Sequence, residues 1–132
     1  MKHILVSLMV CLYAIPSFAA QCRQYESRIE TLTGVLQNET FAGPPNYKDI
    51  KAGDKPETFL VLHLEKPICV VATSSDELNT SELNVKSIQL VLSARQLKLL
   101  QTQVGARVSL SGMLFHKRNA HHHTRVLMRV IK

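Results

Sequence analysis

The chain has 132 residues and a formal net charge of +6, with sixteen Lys and Arg against ten Asp and Glu, and no tryptophan. That length holds one domain with a modest core and excludes two. The positive balance favours anionic partners such as phosphate groups, acidic glycans or lipid head groups.

Residues 1–20 read as a cleavable signal peptide. Lys2 and His3 form a basic start, Ile4 to Ile15 is an almost unbroken apolar run, and Pro16 precedes the small-residue stretch Ser17-Phe18-Ala19-Ala20. These are the three parts a signal peptidase reads, with a cut after Ala19 or after Ala20. A retained anchor needs roughly 20 apolar residues, and this run is shorter. Gln21 stands where a small residue would precede a lipid-modified Cys22, which argues against a lipoprotein. The expectation is therefore a protein exported to the periplasm, with residues 21–132 as a single domain that does not insert stably in the membrane. Loss of Lys2 with the signal lowers the charge by one, to +5.

Export also sets the cysteine chemistry. Cys11 leaves with the signal and Cys22 and Cys69 remain, an even number in an oxidising compartment, where a disulfide is the default. Free thiols or two distant metal ligands are the alternatives, and neither has a supporting motif.

Taken in order, Arg28 to Glu39 alternates as a strand, and Gly34 within it marks a bulge or sharp bend. Ala42 to Glu57 is rich in turn signals and reads as a long loop. Thr58 to Leu64 is a strand, with Ile68 to Ala72 another or its continuation past Lys66-Pro67. Thr73 to Asn84 is polar loop, and Ser74-Ser75-Asp76-Glu77 within it is a solvated turn. Val85 to Leu92 alternates again. Ser93 followed by Gln96 is a capping-box pattern, opening a helix with Leu97, Leu100 and Val104 on one face and Gly105 as its stop. Arg107 to Phe115 and Thr124 to Ile131 are the closing strands. There is no internal repeat. This order predicts a mainly β fold, a small five-stranded OB-like Greek-key barrel with one short helix between the third and fourth strands. An open α+β sheet is the rival.

The densest chemical feature is the closing hairpin, His116-Lys117-Arg118-Asn119-Ala120-His121-His122-His123-Thr124-Arg125. An extended 121–123 segment points His121 and His123 to one side and His122 to the other. Three readings follow. Arg118, Arg125 and the histidines suit an anion, phosphate or carboxylate. His116, His121 and His123 suit zinc or copper as imidazole ligands, although Lys117, Arg118 and Arg125 oppose a cation and the hairpin holds no carboxylate. The third reading is structural, with the histidines bonding the turn backbone. His63 reads as a barrel histidine. Hydrolase elbows, phosphate loops and metalloprotease motifs are missing, so the chain does not read as an enzyme. The aromatics Tyr25, Phe41, Tyr47, Phe59 and Phe115 are few for base stacking, with Phe59 and Phe115 expected in the core, so nucleic acid is a poor partner.

Three segments carry a resemblance: Gly43-Pro44-Pro45-Asn46-Tyr47 through Gly53-Asp54, Leu64-Glu65-Lys66-Pro67-Ile68-Cys69-Val70, and His121-His122-His123-Thr124-x-Val126-Leu127. Together they resemble a family of small exported proteins, mainly proteobacterial, catalogued as a domain of unknown function. The resemblance implies export, paired cysteines and weight on the histidine hairpin, and it supplies no activity. It also draws attention to Asn46 and Tyr47 as lining a site, beside their ordinary role in a turn. The expectation is a monomeric, non-catalytic cell-envelope binding module without a resident cofactor, contacting an envelope protein or an anionic ligand. A periplasmic transition-metal protein is the alternative.

Overall fold

The computed structural model describes residues 21–73 and 77–132. The expected signal peptide, and Ser74 to Asp76 of the expected turn, lie outside the described residues.

The elements run β1 (Arg23–Gln24), β2 (Glu30–Ala42), a 3-10 turn (Ile50–Ala52), β3 (Pro56–Val71), β4 (Glu82–Val91), α1 (Ala94–Gln101), β5 (Arg107–His116) and β6 (Val126–Val130). The sheet order is β1-β3-β2-β5-β6-β4, and a further β3–β4 pairing closes the five long strands into a barrel. β4 and β6 run parallel while the other barrel pairs are antiparallel. Counted along the barrel strands alone, the circuit is first, second, third, fifth, fourth and back to the first, with α1 between the third and fourth. That is the connectivity of an OB-type barrel, and the open-sheet alternative falls away.

Alternation places one parity of each strand inside. Leu32 and Leu36, Leu60 and Leu62, Ile88 and Leu90, Leu110 and Leu114, and Met128 all join one buried cluster. Full burial of such a side chain contributes roughly 1.5–3 kcal/mol. Gly34 sits where β2 changes neighbours: residues 30–35 pair with β5 and residues 34–42 with β3. A Cβ there would stand 2.1 Å from the carbonyl oxygen of His63, so only glycine admits this approach of two backbones.

Several boundaries differ from the sequence reading. β2 starts at Glu30 and runs to Ala42, leaving Ile29 exposed. β3 is one continuous strand through Lys66-Pro67, and β4 begins three residues early, at Glu82. The capping box at Ser93 and Gln96 forms, but α1 stops at Gln101 and buries only Leu100; Leu97 and Val104 are exposed. The helix is too short to carry Val104, and it rests on the barrel by one turn.

Cys22 and Cys69 are joined, with their Cα atoms 4.7 Å apart. The bridge lies beside the short parallel pairing of β1 with Val70 and Val71 and ties the N-terminal end of the domain to β3. No helix of the described residues is long and apolar enough to cross a membrane.

Candidate functional site

Across the outside of the barrel, Val61, Gln89, Leu127 and Phe115 stand opposite one another in successive strands. All four are buried although none belongs to the interior cluster. Phe115 therefore packs outside the barrel, contrary to the expectation of a core position. The cover is the segment 117–125, whose base is closed by the Lys117 N–H donating to the Arg125 carbonyl (3.0 Å).

Gln89 fastens that segment. Its Nε2 donates to the His121 carbonyl (3.0 Å) and its Oε1 accepts from the His123 N–H (2.7 Å). Its own N–H donates to Thr124 Oγ1 (3.0 Å). A carboxamide carries both donors and an acceptor, so Gln89 completes two peptide groups of a segment that is not itself a strand. His122 turns inward onto Phe115, with ring centroids 5.5 Å apart, and its Nδ1 accepts from the Arg118 N–H (3.0 Å). Burial first, and then the nearby Arg118, push its pKa down, which keeps that nitrogen an acceptor.

His121 and His123 point to the other side, as the alternation requires, and share one carboxylate. His121 Nδ1 lies 2.7 Å from Glu57 Oε1, and His123 Nε2 lies 3.0 Å from Glu57 Oε2. Burial works against the ionised Glu57, but the hydrogen bonds and charges of the two histidines outweigh it and hold its pKa below the ordinary value. His123 stacks on Phe41 at 4.4 Å, the planes 2° apart, and leans on Phe59 at 5.6 Å. Phe59 thus also faces outward, another departure from the expected core. Tyr47 closes the set: its Oη lies 3.2 Å from His121 Nε2, and the rings meet edge to face.

The loop carrying Tyr47 is built around Asp54. The backbone N–H groups of Asp49, Lys48 and Asn46 donate to its carboxylate at 2.9, 2.8 and 2.8 Å, and these bonds hold its pKa low. Asn46 is therefore a structural member of the loop, bonded to Asp54, and Tyr47 is the residue presented. Tyr47 has φ 56, a left-handed conformation uncommon for a bulky side chain, and such strain collects at functional positions.

The remaining expected residues are placed elsewhere. His116 Nε2 lies 2.8 Å from Glu82 Oε1, and Arg125 engages the other oxygen of Glu82. The hydrogen bond from His116 leads the causes that lower the Glu82 pKa. Arg118 donates to Glu26 (2.7 Å), and His63 pairs with Glu39 on the barrel exterior. Arg118 and Arg125 are thus engaged in ion pairs that hold the segment and are not presented as free cations. The zinc or copper alternative asks His116, His121 and His123 to meet around one ion. Here they are divided between two carboxylates, and among the described residues no three His, Cys, Asp or Glu are arranged to hold a metal. The positive charge at this end comes instead from Lys48, Lys51 and Lys55, exposed on the 43–55 loop and without an ion pair among the described residues.

Beside His121 and His122 lies a cleft of about 360 Å³, walled by Thr58 to Leu60 of β3 and Gln89 to Leu92 at the end of β4, with Leu97 of α1 at its edge. Fold and loops together define an OB-type barrel whose first and last hairpin connections meet at one end. Residues 87–132 match the family described as Domain of unknown function (DUF4431). That span contains Gln89 and the whole histidine segment, and leaves out Tyr47 and Glu57. No curated protein and no solved structure matches the chain.

Proposed function

We propose that this protein is an exported, non-catalytic binding module of the cell envelope. It takes an anionic ligand or an acidic face of an envelope protein where the 43–55 loop meets the 117–125 segment. The observation that carries the reading is the convergence of His121 and His123 on Glu57, with Tyr47 against His121, beside three exposed lysines that have no ion pair among the described residues. A strained tyrosine, two imidazoles and a cationic rim recognise charge and a flat or apolar moiety together. In OB-type barrels these two loops and the neighbouring strands commonly form the binding face, and this analogy supports the location without naming the ligand. The signal-like residues 1–20 and the Cys22–Cys69 bridge fit an oxidising compartment, as does the resemblance to exported proteobacterial proteins.

The test is a titration of the ¹⁵N-labelled mature chain with soluble peptidoglycan fragments and with heparin as a generic polyanion, against neutral dextran. Shifts confined to Tyr47, Lys48, Lys51, Lys55 and His121 with an anionic probe are expected; shifts elsewhere, or equal shifts with dextran, contradict the reading. Elemental analysis of untagged protein separates the metal alternative: stoichiometric zinc or copper lost in a His121→Ala/His123→Ala variant would replace the anion reading. N-terminal sequencing of periplasmic material is expected to begin at Ala20 or Gln21.

A further inference from the structure

β3 and β4 pair as far as Val61 opposite Gln89 and no further, although β3 extends back to Pro56 and β4 on to Val91. Each stays held from behind, β3 by β2 as far as Pro56 and β4 by β6 as far as Val91. The two strands therefore part in a V, and the 360 Å³ cleft lies inside it.

Ladder alternation shows what β3 offers to that cleft. Gly43 N–H donates to the Lys55 carbonyl at the end of the β2–β3 hairpin. In an antiparallel pair alternate residues address alternate sides, so Glu57 and Phe59 share the β2 side with Lys55. The peptide groups of Thr58 and Leu60 address the opposite side; the pairing of Val61 with Gln89 engages the Leu60 carbonyl, which leaves the Thr58 N–H and C=O and the Leu60 N–H at the mouth of the V. Open strand edges of this kind are templates for another strand. The rest of the cleft selects what such a strand carries. Leu92 and the 47% exposed Leu97 form an apolar wall. The rim carries His121 and His122, and among the described residues none that lines the cleft is acidic. The one carboxylate near the rim, Glu57, has both oxygens engaged by histidines.

We propose that the V binds an extended, acidic peptide segment by strand addition to β3 at Thr58 and Leu60. One apolar side chain of the peptide rests against Leu92 and Leu97, and its carboxylates face His121 and the lysines of the 43–55 loop. Main-chain bonds supply affinity and the alternate side chains supply selectivity. This deepens the binding reading of the same end of the barrel and rests on it.

The experiment titrates the ¹⁵N-labelled mature chain with an alternating Glu/Val octapeptide, its Lys/Val counterpart, and the Glu/Val peptide N-methylated at alternate residues. The Glu/Val peptide is expected to shift the amides of Thr58, Leu60 and Leu92, with the Lys/Val peptide inert. N-methylation should weaken binding about tenfold or more, the equivalent of one lost hydrogen bond. Thr58→Pro removes a donor that β2 does not use and should weaken binding similarly, and Leu97→Glu, on an exposed helix position, is a second variant independent of the strand. Equal binding of the N-methylated peptide overturns strand addition and leaves the anion site standing. Shifts of the same amides on dilution of the protein alone assign the edge to a second copy and overturn the peptide. If heparin also fails, the binding reading falls with it.

Discussion

Gln89 is the residue on which the architecture of the histidine segment depends, and Gln89→Met tests it. Methionine keeps the length and apolar stem beside Val61 and Leu127 but removes both bonds to the segment. The His123 N–H and the His121 carbonyl then lose their partners, at about 1–3 kcal/mol for each group that stays buried. His123 is half-buried and His121 exposed, so the first residue's group bears more of its cost and the second recovers more of it from water. The Thr124 anchor to the Gln89 backbone survives, and the thioether gains roughly 1 kcal/mol of apolar burial. The balance is a loss of about 1–3 kcal/mol. Urea unfolding at neutral pH measures it, and hydrogen exchange at the His123 amide reports the local opening. A loss below about 0.5 kcal/mol with unchanged exchange at His123 would refute the reasoning, because the segment would then be held by its ion pairs alone.

Replacing Cys22 and Cys69 by serine should cost roughly 4 kcal/mol by the chain-entropy argument for a loop of 47 residues, read as a lower urea midpoint that reductant no longer affects. Gly34→Ala should destabilise by about 3 kcal/mol or more, since the new Cβ meets backbone at His63 and no side chain can yield; a near-neutral result in thermal unfolding would contradict the close approach. Acid should loosen the segment. Glu57 and Glu82 have folded pKa values below 4.5, so their contribution is present above 4.5 and lost as pH falls through the folded values. The lowered pKa of His122 acts in the same direction from 6.5 downward. The urea midpoint should therefore fall on acidification, and fall less in a Glu57→Gln/Glu82→Gln variant.

The barrel was legible in the sequence because its inside parity is written in the alternation of β4, β5 and β6 and because Ser93 and Gln96 announce the helix. The disulfide was legible from the expectation of export together with an even cysteine count. The site was only half legible. The histidine cluster and the Tyr47 loop are visible as local composition, but the group that joins them is Glu57, which lies 64 residues from His121. A carboxylate at the start of a strand carries no local sign of a distant partner. Arg118 and Arg125 looked like free cations for the same reason, their partners Glu26 and Glu82 lying 92 and 43 residues away. Phe59 and Phe115 misled in another way. Apolar residues on a strand suggest the barrel interior, but here a folded-back segment gives the outer surface a small core of its own. The polar residue inside that outer core, Gln89, was the one signal available, since an amide within the run Ile88-Gln89-Leu90 needs partners when buried.

The central claim is that the Tyr47 loop and the histidine segment form one face, clasped by Glu57. Proton–proton contacts between ring protons test it most directly, by NMR of residues 21–132 and of the Glu57→Gln variant. Cross-peaks from Phe41 to His123 and from Tyr47 to His121 are predicted in the wild type, with the Tyr47 contact weakened in the variant. Absence of both in a folded wild-type chain, with the two loops relaxing independently, would contradict the account.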